Sequence, residues 1–212
     1  MKMKTIVPNE DLKAIREIMD RSSRFLSLSG LSGIFAGTCA LAGATIAWFF
    51  ILDSGSGQPL EFPVKLAGSS LSGVSFYIVL DALLVLVFAI LGAFCFSFRR
   101  ARKAGHKFWT GTTRRLLIHL MIPLVSGGIF TLILLFQNYV DLVASVMLIF
   151  YGLALVNAGK FTFGEIHYLG LTEIILGILA GLFTSYGFLF WITGFGVMHI
   201  VYGTVMYYRY ER

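Results

Sequence analysis

Six long apolar stretches occupy most of this 212-residue chain, each close to the length that crosses a bilayer. A spanning helix needs roughly 20 predominantly apolar residues, because each residue advances about 1.5 Å across a hydrocarbon core about 30 Å thick. The stretches lie at about 25–52, 75–98, 115–137, 139–157, 166–185 and 187–208. In lipid every backbone N–H and C=O must find its partner inside the protein, so runs of this kind fold as helices. The expected fold is therefore all-α, a polytopic membrane protein of six transmembrane helices in three antiparallel hairpins. Composition points the same way: 57% of residues are apolar and 13% charged, against about 45–50% and 25% in soluble proteins. Short loops leave no room for a separate soluble domain, so residues 25–212 read as one membrane domain.

Residues 1–24 form a polar preface. They carry Lys2, Lys4, Lys13, Arg16, Arg21 and Arg24 beside Glu10, Asp11, Glu17 and Asp20, too many charges for the core of a secretory signal. Asn9 suits a helix N-cap, with Glu10 and Asp11 in the first turn. Leu12, Ile15, Ile18 and Met19 then share a face. The expectation is an N-terminal amphipathic interfacial helix lying on the membrane surface, with a helical extension of the first span as the alternative.

Positive charge orients the spans. Arg99, Arg100, Arg102, Lys103, Lys107, Arg114 and Arg115 crowd one connection without an acid. The N-terminal segment, Lys160, Arg209 and Arg212 fall on the same side, and only Lys65 lies opposite. The positive-inside rule makes the crowded side cytoplasmic, with both termini on it. The location implied is a cell membrane, in the manner of a multi-pass bacterial inner-membrane protein. Topology accounts for the basic loop without nucleic acid. Phe108 and Trp109 beside Lys107 suit a headgroup interface, and the seven basic residues are expected to contact anionic lipid.

The opposite connections are uneven. Residues 53–73 are rich in Gly and Ser, whereas the turns near 137–141 and 184–187 are very short. Short turns force antiparallel neighbours, placing the third span on the fourth and the fifth on the sixth. One heptapeptide returns: Val146-Met147-Leu148-Ile149-Phe150-Tyr151-Gly152 and Val197-Met198-His199-Ile200-Val201-Tyr202-Gly203. It reads either as a remnant of duplicated hairpins or as chance among few residue types. If it is a repeat, His199 stands where its counterpart has Leu148. Gly33 and Gly37, like Gly177 and Gly181, are spaced for close helix packing, within the chain or between copies in a homo-oligomer.

Ionisable groups at bilayer depth are costly and mark function by default. Those in this chain are Asp81, His119, Glu173 and His199. Glu173 shares a face with Gly170, Gly177 and Gly181, and His199 with Gly196 and Gly203, so both turn toward neighbouring helices. Each lies roughly 12–13 Å from the basic side at 1.5 Å per residue. The two are therefore expected to be neighbours, as a proton relay or as a buried polar pair that fixes register. His119 would complete a zinc-binding His–Glu–His cluster only if three helices converged, and no paired-His motif supports metal. Asp81 and Tyr202 are further candidate site residues. Pro123 is expected to kink or break the third span. No phosphate loop, dinucleotide fingerprint or nucleophile elbow is present in a suitable context, so neither a cofactor nor catalytic residues are assigned. Two function classes remain open. One is a small transporter or proton-linked permease. The other is a non-catalytic scaffold, sensor or subunit with a protein partner.

Overall fold

The computed structural model describes residues 25, 27–52, 74–105 and 107–212, and every regular element among them is helical. The expected amphipathic helix within 1–24 and the connection 53–73 lie outside the described residues. Among the described residues six helices are long and apolar enough to cross a membrane, which is compatible with an integral membrane protein. Helix α1 spans Gly30–Ile46 and continues into a π-helical segment, Ala47–Leu52. Helix α2 spans Val74–Lys103, α3 Gly111–Phe136, α4 Val143–Gly159 and α5 Gly164–Leu182. Helix α6 is composite: Gly187–Trp191, a π-helical segment Ile192–Met198, and His199–Tyr210.

Local chemistry sets the helix ends. After α2 the chain reverses at Gly105, whose φ of 69° suits glycine, and its N–H returns to the Arg102 carbonyl at 3.2 Å. Helix α3 opens with a reciprocal cap. The Thr110 hydroxyl accepts from the Thr113 N–H at 3.2 Å, and the Thr110 N–H donates to Thr113 Oγ1 at 3.3 Å. Asn138 takes the left-handed conformation, φ 61°, within the connection 137–142 that turns α3 back toward α4. Pro123 does not break α3, which runs as one helix through it.

Helices α2 and α3 sit on the flanks. The first packs chiefly on α1, the second chiefly on α4, and most of their apolar surface faces outward. The closest seams are α4 against α5 and α6 against α1. Both are glycine seams. A Cβ at Gly152 would lie 2.6 Å from the Gly170 carbonyl oxygen, and one at Gly37 would lie 2.6 Å from that of Gly196. Hydrophobicity cannot draw helices together in lipid, so close backbone approach and van der Waals packing replace it. The Gly33–Gly37 face expected to pack is thus occupied by α6 of the same chain.

Candidate functional site

Glu173 reaches inward from α5 and is fully buried. It is flanked by Gly170 and Gly177, which admit α4 so closely that the carboxylate between them is shut away from lipid. His199, the first residue after the π segment of α6, is also buried. Its Nδ1 lies 3.4 Å from Glu173 Oε1, so the two residues placed at one depth by sequence are neighbours in space.

The imidazole has two closer partners. Nδ1 is 3.0 Å from the Gly194 carbonyl oxygen, and Nε2 is 2.7 Å from the Tyr151 hydroxyl of α4. A neutral ring satisfies both when Nδ1–H donates to Gly194 and Nε2 accepts from Tyr151. Neither Glu173 oxygen then has a hydrogen-bond partner among the described residues. A second proton on the ring reverses the Tyr151 bond and gives the carboxylate an imidazolium beside it. The pair can therefore hold a proton on the Glu173 carboxyl, on the ring, or on neither.

The π turn and its glycines make the room. A Cβ at Gly194 would overlap Glu173 Oε2 and lie 2.6 Å from Leu148 Cδ2. Wide π turns are rare and recur at functional sites, where one inserted residue re-aims a side chain. Phe195 packs on Tyr151 with ring centroids 5.0 Å apart and lies against His199 at 6.1 Å. One apolar ring, Phe195, thus covers the Tyr151–His199 part of the polar chain.

The other candidates fall elsewhere. Tyr202 turns to α5 and shares a 3.3 Å hydrogen bond with Thr172 Oγ1. Asp81 is half-buried on α2, where a Cβ at Gly43 of α1 would lie 3.2 Å from its Oδ2. His119 is exposed on α3 and stacks on Phe161 at 5.0 Å. The three-helix His–Glu–His cluster does not form, because α3 packs on α4 and not on the α5–α6 side. No group of three metal-ligating side chains occurs among the described residues. Sequence reasoning missed Tyr151 and Gly194. Their traces were present: Tyr151 belongs to the returning heptapeptide, and Gly194 and Gly196 lie just before His199.

The basic end holds a second polar assembly. Six of the seven residues expected to contact anionic lipid, Arg99, Arg102, Lys103, Lys107, Arg114 and Arg115, are exposed. Arg100 instead turns inward, donating to the Leu28 carbonyl, to the Tyr210 carbonyl at 3.0 Å and to Glu211 at 3.3 Å. Glu211 also accepts from the Gly30 N–H and, at 2.9 Å, from the Ser29 hydroxyl, capping the start of α1 from the far end of the chain. Beside it, Glu165 of α5 accepts from Arg209 at 2.7 Å and from the Tyr210 hydroxyl at 3.1 Å.

The fold and this site define a class: a six-span helical bundle, compatible with a multi-pass membrane protein, with a carboxylate–imidazole–phenol chain inside it. The chain matches no family model, no curated protein and no solved structure.

Proposed function

We propose that this is a small proton-linked permease of the cell membrane, in which Glu173, His199 and Tyr151 bind and pass a proton. One observation carries the reading: Glu173 is fully buried, and neither of its oxygens has a hydrogen-bond partner among the described residues. A carboxylate kept at bilayer depth without such partners is costly if its only task is packing. The site's chemistry favours a proton over a metal cation. The two Glu173 oxygens, the Gly194 carbonyl and the Tyr151 hydroxyl fall short of the roughly six to eight oxygens that calcium takes. Two of those oxygens are already engaged by His199.

The basic end faces the cytoplasm with both termini, as the positive-inside rule requires, in a bacterial inner membrane. The exposed basic residues touch anionic lipid, and consecutive spans run antiparallel. A scaffold or subunit role, with a protein partner or a second copy, is the second reading. It draws on the broad outward faces of α2 and α3.

Infrared difference spectroscopy of the reconstituted protein tests the site. The Glu173 carboxyl band, identified by its loss in Glu173→Gln, should change intensity between about pH 5 and pH 8. It should also shift in heavy water. A band that neither titrates nor exchanges would leave a sealed structural pair and the scaffold reading.

A further inference from the structure

The returning heptapeptide has a companion that only the packing reveals. Helix α1 reads Gly30-Leu31-Ser32-Gly33-Ile34, then Gly37 and Ala40. Helix α5 reads Gly170-Leu171-Thr172-Glu173-Ile174, then Gly177 and Ala180, in the same spacing. The heptapeptides lie on α4 and α6, and these are the helices against which α5 and α1 pack.

The two pairs meet through the same atoms. A Cβ at Gly152 of α4 would strike the Gly170 carbonyl oxygen and the Ile174 nitrogen of α5. One at Gly203 of α6 would strike the Gly30 carbonyl oxygen and the Ile34 nitrogen of α1, which are the corresponding atoms. Gly177 faces the nitrogen and Cγ1 of Ile149, and Gly37 faces the nitrogen and Cγ1 of Ile200. Gly170 meets the Gly152 carbonyl and the Val156 nitrogen, as Gly30 meets the Gly203 carbonyl and the Tyr207 nitrogen. Chance likeness among apolar residues does not reproduce a helix crossing atom for atom in two places.

We infer that the chain contains two copies of one antiparallel helix pair, α4–α5 and α6–α1, and that the seam between the copies shifts when the Glu173–His199 contact is made or broken. The first copy is joined by the short connection 160–163. The second is closed by Glu211 and Arg100, which bind Ser29 and the Leu28 carbonyl at the start of α1. The copies differ at the chemistry: Glu173 corresponds to Gly33 and His199 to Leu148, so each copy contributes one ionisable group to a contact between them.

The seam is built differently from the pairs it separates. Along α6 it presents three polar rungs: Arg209 and Tyr210 on Glu165, Tyr202 on Thr172, and His199 on Glu173 and Tyr151. Its apolar contacts include Met206, clustered with Leu155, Ile166 and Leu169, and Met198 packed against that cluster. Thioether side chains adapt to shifting partners, whereas glycine-to-backbone contacts tolerate little displacement. Two tight pairs across an adaptable seam is the layout of a rocking-repeat membrane protein. From α4 the ionisable contact faces Tyr151, α1 presents Gly33 to the His199 backbone carbonyl, and Tyr202 lies one turn along α6. Among the described residues no Lys or Arg pairs with Glu173.

The repeat stands on packing alone; its motion rests on the proton-relay reading. Spin labels test the motion in the full chain with Cys39 and Cys95 replaced by alanine. One pair, at the exposed Leu31 and Leu153, spans the seam, and another, at Leu153 and Leu171, stays within α4–α5. The distance across the seam should shift reversibly between about pH 5 and pH 8 and lose that shift in Glu173→Gln. The distance within the copy should stay fixed. An unchanged seam distance while the carboxyl band titrates would overturn the moving seam and leave the relay standing. Equal changes in both distances would overturn rigid copies. The repeat has its own test: Gly152→Ala and Gly203→Ala should lower the unfolding temperature alike. Gly128→Ala, with open space around it, should not. Unequal losses at Gly152 and Gly203 would overturn the repeat.

Discussion

At the scale of single residues, the site depends on an absence of side chain as much as on its ionisable groups. Gly194 leaves the volume that Glu173 Oε2 occupies, and its carbonyl holds His199 Nδ1 at 3.0 Å. Gly194→Ala should destabilise the protein by about 1–3 kcal/mol through overpacking, read as a lower unfolding temperature in mild detergent. The same substitution should displace Glu173 and alter its carboxyl band. Restoring room with a Leu148→Ala partner substitution should recover part of both, because Leu148 is the other side chain in the way. Tyr151→Phe removes the hydroxyl 2.7 Å from His199 Nε2 with little change of volume. It leaves the buried Nε2 without that partner, so it should lower stability by about 1–3 kcal/mol and change the pH response of the carboxyl band. A loss of stability without a spectral change would assign Tyr151 to packing instead.

At the scale of elements, each helix has its own means of ending, and the costs are separable. Thr110 caps α3 through both its side chain and its N–H, so Thr110→Ala should cost about 1 kcal/mol. Glu211 caps α1 from the last turn of the fold, satisfying a serine hydroxyl and a helix N–H beside Arg100. Because both partners of this ion pair are mostly covered, Glu211→Ala should cost more, about 2 kcal/mol. Hydrogen exchange should rise at Gly30 and the amides next to it before it rises in α4. Exchange increasing equally in α1 and α4 would show that Glu211 acts on the whole bundle and not on one helix end.

The sequence carried much of this element-level information, but unevenly. Spans, the Gly33–Gly37 packing face and the shared level of Glu173 and His199 follow from counting residues along straight helices. The cap from Glu211 did not, since two residues at opposite ends of the chain leave no local pattern. Pro123 is expected to kink or break α3, and the helix continues through it unbroken. One lost backbone bond is a local cost that the rest of a 26-residue helix offsets.

At the scale of the whole molecule, alternation of six spans puts Lys107 and Gln137 at opposite ends of α3. With Cys39 and Cys95 replaced, Lys107→Cys and Gln137→Cys should react with an impermeant maleimide from opposite faces of intact cells or inside-out vesicles. Lys107→Cys should react from the cytoplasmic face. Labelling of both from one face would overturn the proposed orientation.

By itself the sequence determined class and level along the helices: six stretches long and apolar enough to cross a membrane, the basic end, and which polar groups lie at which level. Those are axial properties, set by about 1.5 Å of rise per residue and by the cost of charge in lipid. Tertiary structure decided lateral neighbours. It joined α4 to α5 and α6 to α1, brought Tyr151 to His199, and left His119 outside on α3. Apolar side chains dissolve in lipid as well as in protein, so their pattern does not say which helix stands beside which. That choice falls to the small residues that let backbones touch, and their partners become visible only once the helices are assembled.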